Sequence, residues 1–405
     1  MKTQQGYAYS RNLHIRKNLF DARGTVGYAE GMAKNKKNAL ENYLNELYLA
    51  GMMGDEEAQL ELINFYVTET DLPLPDMAKV WLTQLAEKGI DQARRCYFSW
   101  AMSGDKGNFD WLKLEQWALE MVKTTPDTAY CMLGMLYEPN LPGFDDAKVA
   151  EAHYRKAVEL GNAGCGFYLA RVILGRTAED TEPDYEEVRR LLEAAVEVNG
   201  SAPAYDILGS VCLWMGDDEA AAKCFQKVHR LAPDNAECCL NLAYLYARGG
   251  GVRQNDEIAL RYFQKAANLG SPIGTYMVGS YYYYGLGARR NAKRAVDYMK
   301  RALDLGIVEA LYMLGACYMD GVGVRADVPT ALNYWERGAE EKMADCCAAL
   351  VRYYLEDAEG VVDISKVEAL LATARENLQP DDEQTSEAIE LAQALLKERK
   401  GEGGV

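Results

Sequence analysis

Histidine and cysteine are the residue types of this chain that could carry acid–base, nucleophilic or metal chemistry. The three histidines, His14, His153 and His229, lie at no spacing from cysteines or carboxylates that is typical of a zinc site. The sequence also contains no GxSxG motif, no HExxH motif and no phosphate-binding loop. We therefore predict no catalytic residue, no metal site and no cofactor, and a protein that is not an enzyme.

The ten cysteines suit a structural role better than a chemical one. Two pairs are adjacent, Cys238-Cys239 and Cys346-Cys347, and adjacent cysteines rarely bridge each other. Cys165, Cys238 and Cys346 also recur at a repeat position that Ala or Gly holds elsewhere, as small buried side chains do. We therefore expect reduced, buried thiols.

Glycine triplets are the third motif with a chemical interpretation. GGG at 249–251, GLG at 285–287 and GVG at 321–323 resemble fragments of a dinucleotide-binding loop. No predicted strand precedes them, and such a loop requires one. Because the triplets recur every 36 residues, a turn between two helices with positive φ values explains them better.

An internal repeat must position all of these residues. The segments around Ala243, Gly279 and Gly315 align without gaps, and these three anchor residues are 36 positions apart. The same register continues, in steps of 34 to 39 residues, to six further anchors: Ile63, Phe98, Gly134, Ala170, Gly209 and Val351. A further copy near Gly27 fits the period, although its glycines weaken a helix.

Three columns of the repeat describe one face of a first helix, which we name A. The residue five before each anchor is always small, the residue one before it is always large and apolar, and the residue three after it is tyrosine in six of nine copies. Offsets that differ by four share a helix face, so we expect helix A to bury its leucine and tyrosine columns. A second helix, B, follows with Ala259, Ala295 and Ala331 in one column and Tyr262, Tyr298 and Tyr334 three positions later. Gly270 and Gly306 then stand where a helix ends with positive φ.

The pattern LG..Y..G.GV......A..Y..KA...G resembles the Sel-1-like repeat, a relative of the tetratricopeptide repeat, most closely between residues 236 and 342. The resemblance implies an all-α, right-handed α-solenoid of about nine to ten helix-turn-helix repeats, with the A helices on its concave side. The copy at 205–234 departs from the pattern, and the copies at Ile63, Phe98 and Ala170 are degenerate. We expect a basic arm at 1–38 that includes any degenerate first repeat, the solenoid at 39–379, and a capping helix with a short tail at 380–405.

Tyrosine is the residue type that the packing columns do not fully explain, at 27 residues against eight phenylalanines. By analogy with tetratricopeptide geometry, the A-helix offsets −6, −3, −2, +1, +4 and +5 face the concave groove. In the three best copies we predict that these positions bind a partner: Asn241, Tyr244, Arg248, Tyr276, Met277, Ser280, Tyr283, Tyr284, Tyr312, Met313 and Met319. The competing interpretation is an apolar lining that packs against neighbouring helices. A carboxylate clamp is not expected, because Glu237 stands where its lysine would be.

Charge limits the choice of partner. The formal net charge of −17 argues against nucleic acid or an anionic membrane as the main partner. Residues 1–38 carry eight basic and two acidic side chains, so the negative charge lies on the rest of the chain. The first residues lack the apolar segment of a secretory signal, and no long apolar span follows, which predicts a cytoplasmic protein. Export by a signal-less route stays open.

These features predict a non-catalytic scaffold or adaptor whose concave groove binds a protein or peptide segment. One alternative is an acidic regulatory or immunity-type protein that binds a basic protein partner by charge. A second alternative is a helical-repeat RNA-binding protein, which the mostly uncharged groove columns disfavour.

Overall fold

The structure is a computed structural model that describes residues 34–68, 74–103, 109–139, 143–175, 183–356, 363–379 and 382–402. His14, the predicted copy at Gly27 and most of the predicted basic arm lie outside these residues. The described residues form twenty α-helices, one short 3₁₀ helix and no strand, as the sequence predicted. None of these helices is both long enough and apolar enough to cross a membrane.

The chain divides into two compact units, Met1–Asn199 and Gly200–Val405. The boundaries predicted at residues 38 and 379 stay predictions. The described helices of unit 1 are α1 (Lys34–Met52), α2 (Glu56–Thr68), α3 (Asp76–Glu87), α4 (Asp91–Met102), α5 (Trp111–Met121), α6 (Pro126–Tyr137), α7 (Ala147–Glu159), α8 (Gly166–Leu174) and α9 (Tyr185–Val198).

Unit 2 continues the alternation of A and B helices. Its described helices are α10 (Ala202–Trp214), α11 (Asp218–Leu231), α12 (Ala236–Arg248), α13 (Asp256–Asn268), α14 (Pro272–Tyr284), α15 (Ala292–Asp304), α16 (Ala310–Asp320), α17 (Val328–Glu340), α18 (Ala344–Glu356), α19 (Ile364–Glu376) and α20 (Glu383–Glu402). Within each unit, every helix packs against the next one along the chain. All nine anchors lie on A helices, which are the even-numbered helices from α2 to α18. Each unit is therefore an α-solenoid.

Short polar side chains begin most of the helices. Asn235, Ser271 and Asn291, for example, each accept a hydrogen bond from a backbone N–H in the first turn of the helix that follows. Such caps satisfy donors that have no partner inside the helix. The last helix, α20, buries Ile389, Ala392 and Leu396 against a cluster formed by α18 and α19.

The columns of small and large apolar residues form the core, as predicted. Every residue in the small column is buried, and so is every residue in the large column except Tyr97, which is half-buried. The deepest B-helix residues are not the predicted tyrosines but Phe263, Met299 and Trp335, one position later. The glycine anchors make room for these residues, because a Cβ atom at Gly315 would lie 2.2 Å from Nε1 of Trp335.

The sequence predicted that the tyrosine column of the A helices is buried, and this prediction was wrong for most of its members. Only Tyr282 is buried, and the other five rings are half-buried. Their hydroxyl groups reach polar side chains at the edge of the stack: Tyr318 accepts a hydrogen bond from Lys300 at 2.8 Å, and Tyr354 accepts one from Lys366 at 2.9 Å. A phenol needs such a partner when it loses water, which favours the edge over the core.

The glycine triplets are turns, as predicted. Gly249, Gly285 and Gly321 end their helices in the left-handed conformation, with φ of 77°, 78° and 68°. Two residues later, Gly287 also has positive φ, and a Cβ atom there would lie 2.1 Å from the carbonyl oxygen of Asp256. Asp256 is the first residue of the preceding B helix, α13, so this turn docks one repeat onto its neighbour.

Candidate functional site

The candidate site is the A-helix face of unit 2. We define this face as the predicted groove offsets on α10, α12, α14, α16 and α18. Four large apolar side chains on these helices are well exposed: Trp214 at 77%, Tyr284 at 63%, Ile273 at 47% and Tyr244 at 39%. All four occupy predicted groove offsets, namely +5, +5, −6 and +1. The well-exposed large apolar side chains of the unit 2 A helices therefore all lie on the predicted face.

Unit 1 has the opposite distribution. The described residues of its A helices expose no large apolar side chain, whereas its B helices expose several, among them Met77, Val80, Leu112 and Leu119. A large apolar side chain in water is unfavourable, and a recurrent face of such side chains is typical of interaction surfaces. This contrast distinguishes unit 2 as the described part of the chain whose A helices expose large apolar side chains.

A tyrosine–carboxylate cluster lies on this face and consists of Tyr276, Tyr284, Tyr312, Glu309 and Asp345. Burial raises the pKa of Tyr276 and of Tyr312, and the negative charge of Asp345 raises both further. Glu309 also raises the pKa of Tyr276. Burial likewise raises the pKa of the Asp345 carboxyl above its ordinary value. The cluster therefore combines aromatic rings with one partly buried carboxylate, Asp345, and one exposed carboxylate, Glu309, and the positive charge of Arg352 also acts on Tyr312.

Met313 supports the cluster from beneath rather than binding at the surface. It is buried, and its sulfur lies 4.0 Å from both the Tyr276 hydroxyl and the Ser280 hydroxyl. Sulfur is a weak acceptor, so these contacts orient the two hydroxyl groups without holding them firmly. Tyr276 and Tyr312 pack against the same apolar cluster as Met313.

Tyr283 and Arg290 form a brace beside the exposed ring of Tyr284. The guanidinium of Arg290 lies over the Tyr283 ring at 5.6 Å, and its Nε donates to the Tyr283 carbonyl at 3.0 Å. Tyr283 in turn meets Tyr284 edge to face, with ring centroids 5.0 Å apart. Tyr283 is therefore a supporting residue, and Tyr284 is the ring that faces solvent.

Some of the remaining predicted residues pack against neighbouring helices, and others keep part of the side chain exposed on the face. Arg248 pairs with Asp218 at the start of α11, so it joins two repeats. Tyr244 packs edge to face on Phe263 at 5.2 Å while keeping an exposed side. Met277 and Met319 are half-buried against neighbouring apolar clusters, and Asn241 is half-buried. The predicted residues thus lie on one face at different depths.

Sequence reasoning missed Trp214, Ile273, Asp206, Glu309 and Asp345. The first two are exposed on the face, and Asp206 lies on it at offset −3 with burial raising its pKa. The Oδ1 atom of Asp206 is buried and has no hydrogen-bond partner. The groove offsets could have identified Trp214 and Asp206 in the sequence. This would have required applying them to the divergent copy at Gly209 and to residues of every type.

The residues that could support chemistry lie elsewhere. All ten cysteines are buried and free, as expected. His153 and His229 lie on B helices against tyrosine rings, and burial lowers the pKa of both. Within the described ranges, no group of three or more His, Cys, Asp or Glu side chains could hold a metal ion.

Comparison with known proteins identifies the repeat. The Sel1 repeat family matches four segments, at residues 128–162, 236–271, 272–307 and 308–343. The last three are the copies that the sequence pattern favoured most, and the degenerate copies are not matched. No curated protein matches the sequence.

Solved structures of helical repeat proteins resemble this chain at low identity. A protective antigen of uropathogenic Escherichia coli strains, described as displaying an SLR fold, is 22% identical, with 96% of this chain and 81% of that chain covered and a TM-score of 0.64. A Sel1 repeat protein from Oxalobacter formigenes is 19% identical, with 76% of this chain and 89% of that chain covered and a TM-score of 0.46. The chain therefore carries four Sel1 repeats within an all-helical fold of stacked hairpins.

Proposed function

We propose that this protein is a non-catalytic interaction scaffold or adaptor, and that the A-helix face of unit 2 binds a segment of a protein partner. Repeats of the Sel1 and tetratricopeptide type generally serve as protein-interaction scaffolds. Stacking places equivalent positions of successive helices side by side, so one extended segment can contact several repeats.

One observation carries the proposal. Every large, well-exposed apolar side chain on the A helices of unit 2 occupies a predicted groove offset. Tyrosine, tryptophan and methionine are enriched in protein interfaces because they offer apolar area together with polar or adaptable ends. The face also has half-buried rings next to exposed ones, the arrangement in which a few anchors supply most of the binding energy.

The test replaces two tyrosines of the face that are well exposed. We expect Tyr244→Ala combined with Tyr284→Ala to weaken binding of peptides selected by the wild-type protein from a random displayed library by about tenfold or more. The matched control is Leu231→Ala combined with Leu305→Ala, two exposed side chains of unit 2 that lie outside the A helices. Tyr276, Tyr283 and Tyr312 are poorer choices, because each packs against a core cluster.

Helicity and unfolding temperature of both double variants should match the wild type. Selection of no peptide at all would overturn the proposal. Equal binding by the tyrosine variant and the wild type would do so as well.

A further inference from the structure

We infer that unit 2 has a second interaction surface, which binds an acidic segment of a partner protein. This surface, which we name the basic turn, consists of Arg289, Arg290, Lys293 and Arg294. The two arginines at 289 and 290 lie in the turn between α14 and α15, and the other two cations lie in the first turn of α15. The inference does not depend on binding at the A-helix face.

The sequence concentrates positive charge at this place. Residues 258–296 contain six basic side chains and no acidic one, within a chain whose formal net charge is −17. Residues 289–294 supply four of these six. The equivalent segments of the neighbouring repeats, 253–258 and 325–330, contain one basic side chain each.

The fold of the turn does not require the additional cations. The three equivalent turns share one backbone hydrogen bond, which the N–H groups of Asn255, Asn291 and Asp327 donate to a tyrosine carbonyl at 2.8 to 2.9 Å. All three also begin with a glycine in the left-handed conformation. Only the middle turn is strongly basic, so its charge needs an explanation other than repeat stacking.

Two of the four cations are held in place by uncharged groups. Arg290 is fixed by the carbonyl and the ring of Tyr283. Arg294 donates from Nη1 to the Tyr282 hydroxyl at 3.1 Å, and its guanidinium lies 5.4 Å from the centre of that ring. Arg289 and Lys293 are exposed and form no side-chain hydrogen bond or ion pair within the described part of the chain. The contacts therefore orient the surface without cancelling its charge.

Carboxylates border the basic turn but do not pair with it. Burial raises the pKa of Tyr281 and of Tyr283 on α14, and the charges of Asp256 and Asp320, respectively, raise them further. These two carboxylates therefore lie near the end of α14, and Asp297 follows the basic turn on α15. None of the three forms an ion pair in the described residues. They mark the limits of the basic surface.

Other repeats do pair their cations. Lys113 lies 2.6 Å from Glu87, and Lys366 lies 3.4 Å from Glu336, so each pair joins neighbouring repeats. Within the ranges that the structure describes, no residue from 249 to 335 takes part in an ion pair. Hydrogen bonds between a cation and a carboxylate are stronger than those to neutral acceptors. The basic turn can therefore gain such bonds from a carboxylate of another molecule.

A protein segment fits this surface better than nucleic acid does. Tyr284 and Leu286, which precede the basic turn, are 63% and 40% exposed and offer apolar contact area to the side chains of a segment. A nucleic acid carries a phosphate at every nucleotide, so it would continue past the turn onto a chain of strongly negative net charge. A short acidic segment places its charge at the basic turn alone.

The experiment uses the whole chain and two labelled peptides. In one peptide glutamate alternates with glycine and leucine, and the other has glutamine in place of each glutamate. Fluorescence anisotropy at low salt should show the glutamate peptide binding at least about tenfold more tightly, although the chain as a whole repels it. Arg289→Gln combined with Lys293→Gln should weaken binding of the glutamate peptide about fivefold or more.

Lys227→Gln combined with Arg375→Gln is the matched control, because it removes the same charge from two exposed positions on other B helices. It should change binding of the glutamate peptide less than about twofold. Neither double variant removes a hydrogen bond or an ion pair of the described residues, so both should keep the unfolding temperature of the wild type.

Equal binding of the two peptides would overturn the inference. Equal weakening by the two double variants would also do so, because the attraction would then follow net charge alone. A labelled single-stranded oligonucleotide completes the comparison. If it binds more tightly than the glutamate peptide and loses affinity in the Arg289→Gln and Lys293→Gln variant, the surface is a nucleic-acid site and the acidic protein segment is ruled out. Selective loss of the glutamate peptide in that variant supports the inference.

Discussion

Tyrosine has two roles in unit 2: some rings join neighbouring repeats, and others face solvent. Tyr318 and Tyr354 carry lysines of the chain over their rings and hydrogen-bond to them, so they join neighbouring repeats. Tyr284 is exposed to solvent, and its ring meets that of Tyr283 edge to face. The position of a residue in the repeat predicted which residues share the face. It did not predict how deeply each side chain is buried. Met313 is consequently buried although its offset is a groove offset.

Asp206 allows a test at the scale of one carboxyl group. Burial raises its pKa, with a smaller contribution from the charge of Glu237, while a hydrogen bond with Asn235 lowers it. A carboxyl whose pKa is raised by folding stabilises the folded chain fully below its ordinary pKa, about 3.9, and this contribution is lost as the pH rises. Asp206→Asn should therefore increase the free energy of unfolding at neutral pH.

The gain from Asp206→Asn should disappear as the pH falls towards the ordinary aspartate range, because the wild-type carboxyl is then neutral too. Urea unfolding of both proteins across this pH range measures the difference. Glu237→Gln, a change to an exposed carboxylate on the next A helix, is the control and should have a smaller effect. A loss of stability at neutral pH in the Asp206 variant would contradict the assignment.

At the scale of the helix pair, packing depends on the contact between an anchor and its B helix. The sequence predicted the small, large and alanine columns correctly because their offsets follow the helical period and need only burial. It placed the B-helix core one residue too early, at tyrosines that lie on the edge. Phe263, Met299 and Trp335 differ in residue type, so no repeated letter marks their column, although Trp335 is among the most buried side chains of its cluster.

Gly315→Ala should destabilise unit 2. The new Cβ atom would lie 2.2 Å from Nε1 of Trp335, which donates to the Tyr312 carbonyl at 3.1 Å. Moving a buried indole and losing this hydrogen bond should cost about 1–3 kcal/mol, more than the helix propensity that alanine adds. Chemical denaturation provides the measurement.

Gly279→Ala is the matched control, because Gly279 occupies the same anchor position in the preceding repeat. There the nearest atom to a Cβ is the terminal Cε of Met299, at 3.0 Å, and a flexible thioether can move aside. We expect a clearly smaller loss for Gly279→Ala than for Gly315→Ala. Equal losses in the two variants would show that the indole contact does not determine the cost.

At the scale of the whole molecule, the sequence predicted the all-helical repeat fold but not where its exposed apolar area lies. The register passes through nine anchors, and the boundary between the two compact units falls within the 39-residue step from Ala170 to Gly209. Only the structure shows that the described A helices expose no large apolar side chain in unit 1 but four in unit 2. The burial of a side chain depends on contacts from neighbouring repeats. One aligned position of the repeat does not contain that information.

The main proposal for this protein is that the A-helix face of unit 2 contacts a partner segment. Its most direct test is photo-crosslinking with benzoylphenylalanine at position 284, with position 305, an exposed site at the end of a B helix, as control. A peptide selected by the wild-type protein should crosslink at position 284 and not at position 305. Crosslinking at position 305 alone, or equally at both positions, would contradict the claim.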